Sequence, residues 1–129
     1  MDAAKASPLT PPGAAATAPP SLAPAVPPVN IYEGSGQLSV VLPIPGSHPD
    51  HVEVVIEPTL LRVHAECKYA QEQQNFRRHE WQVGSWKVDV ALPSSVDPSR
   101  ARAALEYGVL TVRAPISETA TGLCRLAIR

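Results

Sequence analysis

Cysteine is scarce in this 129-residue chain. Cys67 and Cys124 lie far apart, with no CxxC and no Cys/His ligand set beside either. Neither a zinc site nor a disulfide framework is indicated, and reduced thiols are the default. Long apolar runs are missing too: no stretch approaches the roughly 18 consecutive apolar residues of a membrane-spanning helix, and the N-terminus lacks the apolar segment of a secretory signal. The expected location is the cytoplasm. Excess charge of either sign is also absent, with 11 Lys and Arg against 12 Asp and Glu, a net charge of −1. No global field gathers nucleic acid or an anionic membrane, so neither is an expected partner.

The arrangements that carry chemistry are missing as well. Gly34-Ser35-Gly36 is no GxGxxG, because residue 39 is serine, and no GxxxxGK[ST] occurs, so nothing cradles a nucleotide phosphate. The same tripeptide precedes a strand, whereas a nucleophile elbow needs strand, sharp turn and helix. His64 and Cys67, three apart in an extended segment, point to opposite faces. His48 and His51 share a turn and could meet a metal, but without further ligands they read as solvated turn residues. No enzyme, cofactor or metal site is expected.

Proline, by contrast, is plentiful. Eight of the 15 prolines fall in residues 1–28, with nine alanines, Asp2 and Lys5 as the charges, and nothing larger than Leu9, Leu22 and Val26 to bury. Proline fixes φ and removes a backbone donor, which excludes helix past its first turn and any central strand. Residues 1–28 are therefore read as a disordered or polyproline-II arm. The core must come from residues 29–129, enough for a domain that buries roughly two-thirds of its unfolded surface.

From Val29 onward the apolar period is two. Leu38, Val40, Leu42 and Ile44 alternate along a first strand that ends at Pro45-Gly46. Ser47 to Asp50 reads as a turn, and Val52, Val54 and Ile56 as the next strand. Glu57-Pro58-Thr59 reverses the chain into Leu61, Val63 and Ala65, a hairpin. Asn30 to Glu33 reads as a short edge strand. Trp86, Val88, Val90 and Leu92 form a strand stopped by Pro93, and Val109 to Ala114 one stopped by Pro115. Between them, Asp97-Pro98 has the form of a helix start, and local propensity favours helix through Leu105. Short strands separated by turn signals predict an all-β, antiparallel immunoglobulin-like β-sandwich without its cysteines.

Two segments do not fit the core. Residues 67–84 are polar and glutamine-rich, a loop of the length that is usually functional or disordered. Within it Phe76, Arg77, Arg78, His79, Glu80 and Trp81 mix cations with aromatics, as single-strand nucleic-acid binders do. The surrounding charges balance, so a protein-contact strand is the better reading and a solvated loop pinned by Trp81 the alternative. After Pro115, residues 116–122 look like a linker, yet the chain ends in Leu123 to Arg129. Extended, Leu126 and Ile128 share one face while Arg125 and Arg129 share the other. Such a pair needs a receiving groove, on this sandwich or on a neighbour, and β-augmentation onto a sheet edge suits it. The alternative is a last strand paired within its own sheet.

Residues 29–129 resemble the α-crystallin domain of the small heat-shock proteins. Val29-Asn30-Ile31-Tyr32-Glu33 is similar to the family's V-D-I-Y-E, and Leu38 to Gly46 to its strand ending in L-P-G. Gly84-Ser85-Trp86 through Leu92-Pro93, Val96 and Asp97 resembles G-S-F…L-P…V-D. Gly108-Val109-Leu110, with Pro115 following, resembles the G-x-L signature, and Leu126-Ala127-Ile128 the C-terminal I-x-I/V anchor. The division implied is an arm at 1–28, a sandwich at 29–115 and a C-terminal extension at 116–129.

The resemblance implies an ATP-independent holdase that binds partly unfolded clients under heat or other stress and needs no cofactor. It implies a homodimer, and larger oligomers, in which Phe76 to Trp81 reach a partner's sheet as a short strand. The tail anchor Leu126 and Ile128 is expected in a groove lined by Val52, Val54, Ile56, Ala103 and Leu105. It also implies a short strand over Arg102 to Leu105 in place of the helix, and tertiary context overrides local propensity. Two departures stand out. Val88 occupies the position of the family's usual arginine, and the arm lacks the family's phenylalanines and amphipathic helix, so a small or weak higher assembly is expected, with clients held in the sandwich grooves. The rival reading is a CS-type co-chaperone or adaptor that docks one folded partner.

Overall fold

The computed structural model describes residues 24–67, 74–81 and 84–129. Eight strands are described: β1 (Asn30–Gly34), β2 (Gln37–Pro43), β3 (Ser47–Glu57), β4 (Leu60–Cys67), β5 (Trp86–Ala91), β6 (Arg102–Glu106), β7 (Val109–Pro115) and β8 (Cys124–Leu126). They form two four-stranded antiparallel sheets, ordered β1-β2-β7-β6 and β5-β4-β3-β8. The period-two pattern explains the sandwich. Leu38, Val40 and Leu42 of β2 face Leu110, Val112 and Ala114 of β7 in register, and all are buried. Across the core stand Val54 and Ile56 of β3 with Leu61, Val63 and Ala65 of β4, also buried. Each such branched side chain contributes about 1.5–3 kcal/mol on leaving water.

The ambiguous stretch at Asp97 resolves into both of its readings. Asp97 caps one 3-10 turn, Pro98–Arg100: its carboxylate accepts from Ser99 N at 3.0 Å and Ser99 Oγ at 2.7 Å. The helix stops there, and β6 pairs with β7 from Arg102↔Arg113 to Glu106↔Val109. A continued helix would strip β7 of one of its two partners and remove Ala103, 2% exposed, from the core.

The expected turn at Ser47 to Asp50 is instead the start of β3. Ser47 pairs with Cys67, Val52 with Ala65, and the register shifts between them. A β-bulge there absorbs the extra residues and accommodates Pro49, which has no N–H to give a ladder. His48 Nδ1 accepts from Asp50 N at 3.1 Å within the bulge. Tyr107-Gly108 turns β6 into β7 with φ of 53° and 78°, the two positive values of a type I′ turn. A Cβ on Gly108 would stand 3.2 Å from Pro45 Cα, so the close approach also demands glycine.

Segments before β1 and after β7 fasten onto the sandwich. Ala25 N donates to Ser85 O and Lys87 N to Ala25 O, each at 2.9 Å, which lays the end of the proline-rich arm along β5. Pro27 is buried. The rest of the arm, residues 1–23, lies outside the described residues. The expected linker after Pro115 is fastened too: Ile116 N donates to Gly36 O and Ser117 N to Ser95 O, both at 2.9 Å. Ser117 Oγ then accepts from Ala120 N at 3.2 Å, turning the chain back toward the sandwich.

Candidate functional site

The opening of the sandwich lies between β3, which without β8 would be the edge of its sheet, and β6 at the edge of the other. A strand edge carries unpaired N–H and C=O groups and accepts an extended segment. Here the tail occupies it. β8 runs antiparallel to β3, with Val54↔Leu126, Val55↔Arg125 and Ile56↔Cys124 in register. Two residues on, Ile128 forms a parallel bridge to Ala103. Arg129 N donates to Ala103 O at 3.1 Å, and Leu105 N to Arg129 O at 3.0 Å. The six residues from Cys124 to Arg129 therefore join the two sheets along their shared edge.

Side-chain direction follows from the pleat. Leu126 and Ile128 are half-buried and pack against the core, as do Val52 and Leu105. Val54, Ile56 and Ala103 are buried beneath them. Arg125 points outward, and its guanidinium forms an ion pair with Glu53. The groove thus brings together Val52, Val54, Ile56, Ala103, Leu105, Leu126 and Ile128. It lies within a single protomer, and β8 is a last strand paired in its own sheet. The sequence carries no signal for the Glu53–Arg125 pair beyond their opposite charge, because it does not give the register of β8 on β3.

The segment Phe76 to Trp81 lies apart from this groove. Residues 74–81 form neither helix nor strand within the single chain. The Phe76 and His79 rings lie against each other at a tilt of 54°, centroids 4.7 Å apart, and the exposed side chains of Arg78 and Glu80 pair at 3.3 Å. Trp81 is 62% exposed, a large apolar surface for one residue. β1 is exposed along its whole length and pairs with β2 on one side. Val88 is half-buried against the core and lies opposite Val63, so an apolar side chain fits its inward position.

The remaining candidates are scattered. His48 and His51 lie edge to face, 6.2 Å apart, and among the described residues no three His, Cys, Asp or Glu side chains gather as a metal site. Both cysteines are free thiols, placed toward opposite ends of β3 by the pairings Ser47↔Cys67 and Ile56↔Cys124. Among the described residues no helix is long and apolar enough to cross a membrane.

A two-sheet antiparallel sandwich whose β3–β6 opening receives an extended tail through a branched pair two residues apart has the architecture of an α-crystallin domain. The model of the Hsp20/alpha crystallin family matches residues 30–125, and the chain belongs to that family. It is similar to heat shock protein 16 of Schizosaccharomyces pombe, 27% identical over 107 residues that cover 80% of this chain and 75% of the yeast protein. Among solved structures it is similar to hspA of Xanthomonas axonopodis, with a TM-score of 0.66 and 32% identity, over 76% of this chain and all of that one. A small heat-shock protein of Xylella fastidiosa gives a TM-score of 0.63 and 31% identity, over 78% of this chain and 94% of that one. The all-β fold and the family are thereby fixed, and members of this family are chaperones.

Proposed function

We propose that the chain is an ATP-independent holdase that captures extended, partly unfolded clients in the groove between β3 and β6 and keeps them from aggregating in the cytoplasm. The observation that carries this reading is the seated tail. An extended segment satisfies the free backbone groups of Ala103 and Leu105 and buries two branched side chains against the core. Unfolding proteins expose segments of that kind. Binding them draws the unfolded population away from aggregation by mass action, with no chemical step.

Self-association rests on two further edges. The outer edge of β1 is the receiving strand for residues 76–81 of a second protomer, which gives the homodimer. A tail seated in a neighbour's groove repeats the same contacts between chains, which links dimers into larger assemblies. The Xylella relative is described as having a distinct high order structure, which supports self-association in this fold. In this chain the arm adds no aromatic side chain, so clients are held by the sandwich.

The test is aggregation of a heated model client, followed by light scattering without ATP while the native mass of the chain is measured alongside. Suppression near stoichiometric ratios is expected. No suppression at several-fold molar excess would favour an adaptor that docks one folded partner.

A further inference from the structure

The tail carries a cation immediately before its first apolar anchor, and the groove meets it with acid. Arg125 projects from the outer face of β8, and its guanidinium pairs with the Glu53 carboxylate. Glu53 is held on β3 between Val52 and Val54, whose side chains line the opposite, inward face. Its position relative to the Leu126 socket is therefore set by the strand.

The surroundings reinforce that sign. An open hollow beside the socket is lined by Asp50, His51, Glu53, His64, Glu66 and Arg125. Three carboxylates and one guanidinium thus border it, and Glu53 is the carboxylate paired with that guanidinium. His64 lies opposite Glu53 on β4, where Arg62 lies opposite Val55, one strand further from the tail than Glu53; Lys87, opposite His64 on β5, is two strands further. With the tail lifted away, the hollow loses its guanidinium and keeps its three acids.

We propose that this acidic hollow makes the β3–β6 groove selective for extended segments in which Lys or Arg immediately precedes the first of two branched apolar residues spaced two apart, with Glu53 as the specificity-determining residue. The inference rests on the groove reading under Proposed function and names the segments the groove prefers. Backbone hydrogen bonds and apolar sockets accept any extended segment with the right pair of side chains. The charge at the rim adds the discrimination, an attractive element for a basic residue and a repulsive one for an acidic residue. Arg125 and Glu53 keep 67% and 48% of their side-chain surface, so water and salt screen the pair. The preference for Arg over an uncharged residue is then about twofold to fivefold, and larger against Glu, which sets like charges side by side.

Two labelled peptides test it, one with the sequence of residues 121–129 and one with Glu in place of its arginine before Leu126. They are titrated by fluorescence anisotropy into the full chain carrying Leu126→Gly and Ile128→Gly, which empties the groove. The arginine peptide is expected to bind about tenfold tighter at low salt, the gap closing near about 0.5 M salt. Adding Glu53→Lys is expected to reverse the order. Equal affinities that ignore both salt and Glu53→Lys would overturn the charge selectivity. If neither peptide binds a chain whose circular dichroism shows an intact sandwich, the groove reading itself fails. Should the double glycine variant not fold, the peptides compete with the native tail of the unmodified chain, and the same ranking is expected.

Discussion

Val54 of β3 lies opposite Leu126 of β8 in antiparallel register, so a residue of the chain's last segment closes the core beside a strand laid down in its first half. The core of this sandwich is incomplete without an extended segment along the β3–β6 opening. Whatever displaces the tail must supply an equivalent pair of side chains or leave Val54, Ile56 and Ala103 open to water.

Replacing Leu126 and Ile128 by glycine removes both anchors. Each is half-buried, so the loss is about 1–2 kcal/mol apiece, below the cost of truncating a fully buried side chain. Any assembly larger than a dimer is expected to shrink, measured by multi-angle light scattering. Amide exchange at Leu105, whose N–H is held by Arg129 O, is expected to rise. Unchanged mass and unchanged protection would contradict the anchor role.

The tail's own-groove docking is testable by cross-linking. Val55 and Arg125 are direct partners across β3 and β8, a separation within disulfide reach. In a background of Cys67→Ser and Cys124→Ser, oxidising the Val55→Cys/Arg125→Cys variant is expected to yield a product at monomer mass on a non-reducing gel. Covalent higher species from tails seated in neighbours accompany it where larger assemblies form, and a ladder with no product at monomer mass would contradict own-groove docking.

Deleting Asn75 to Trp81 removes the exposed aromatic segment proposed to reach a partner's β1. Sedimentation at micromolar concentration is expected to show monomers with native circular dichroism. A persistent dimer would count against strand exchange at that edge.

The Tyr107-Gly108 turn offers a stability test with a defined sign. Tyrosine is a poor residue at φ +53°, where asparagine is favoured, and its side chain is fully exposed. Tyr107→Asn is expected to stabilise by about 0.5–1 kcal/mol, raising Tm by a few degrees. Gly108→Ala is expected to destabilise by more, since it adds a tight contact with Pro45 to an unfavourable φ. Thermal melts of the two variants decide both signs.

Ala25 and Pro27 belong to the proline-rich stretch, yet Ala25 bonds to β5 and Pro27 is buried. Removing residues 1–23 is expected to leave Tm within a degree or two, whereas removing residues 1–28 also takes away the Ala25 bonds to β5 and the buried Pro27. The longer deletion is expected to cost about 1–3 kcal/mol by denaturant titration. Equal stability of the two truncations would show that the Ala25 contact is idle.

The sequence made the sandwich legible because its strands bury alternate residues, and alternation survives without knowledge of partners. Leu38, Val40 and Leu42, or Leu61, Val63 and Ala65, announce their face by spacing alone. The start of β3 was hidden because Ser47 to Asp50 carries turn-forming residues that a β-bulge tolerates equally well. The helix signal at Asp97 was real but local, satisfied in one turn before pairing with β7 claimed the rest. The groove residues followed from a family resemblance; register alone brought Glu53 to Arg125 and Ala25 to Trp86, and register depends on the whole chain. Proline content marked residues 1–28 as apart from the core, yet composition has no way to show that one alanine near their end completes a sheet edge.

The central claim is that clients enter the β3–β6 groove. It is tested most directly by measuring aggregation suppression with the Val55→Cys/Arg125→Cys chain, oxidised to lock the tail and then reduced to free it. The oxidised protein is expected to suppress client aggregation several-fold less well than the reduced one, with activity restored by reductant and no effect of reductant on a chain lacking the cysteine pair. Equal suppression by the locked and released forms would contradict the account and place client capture elsewhere on the molecule.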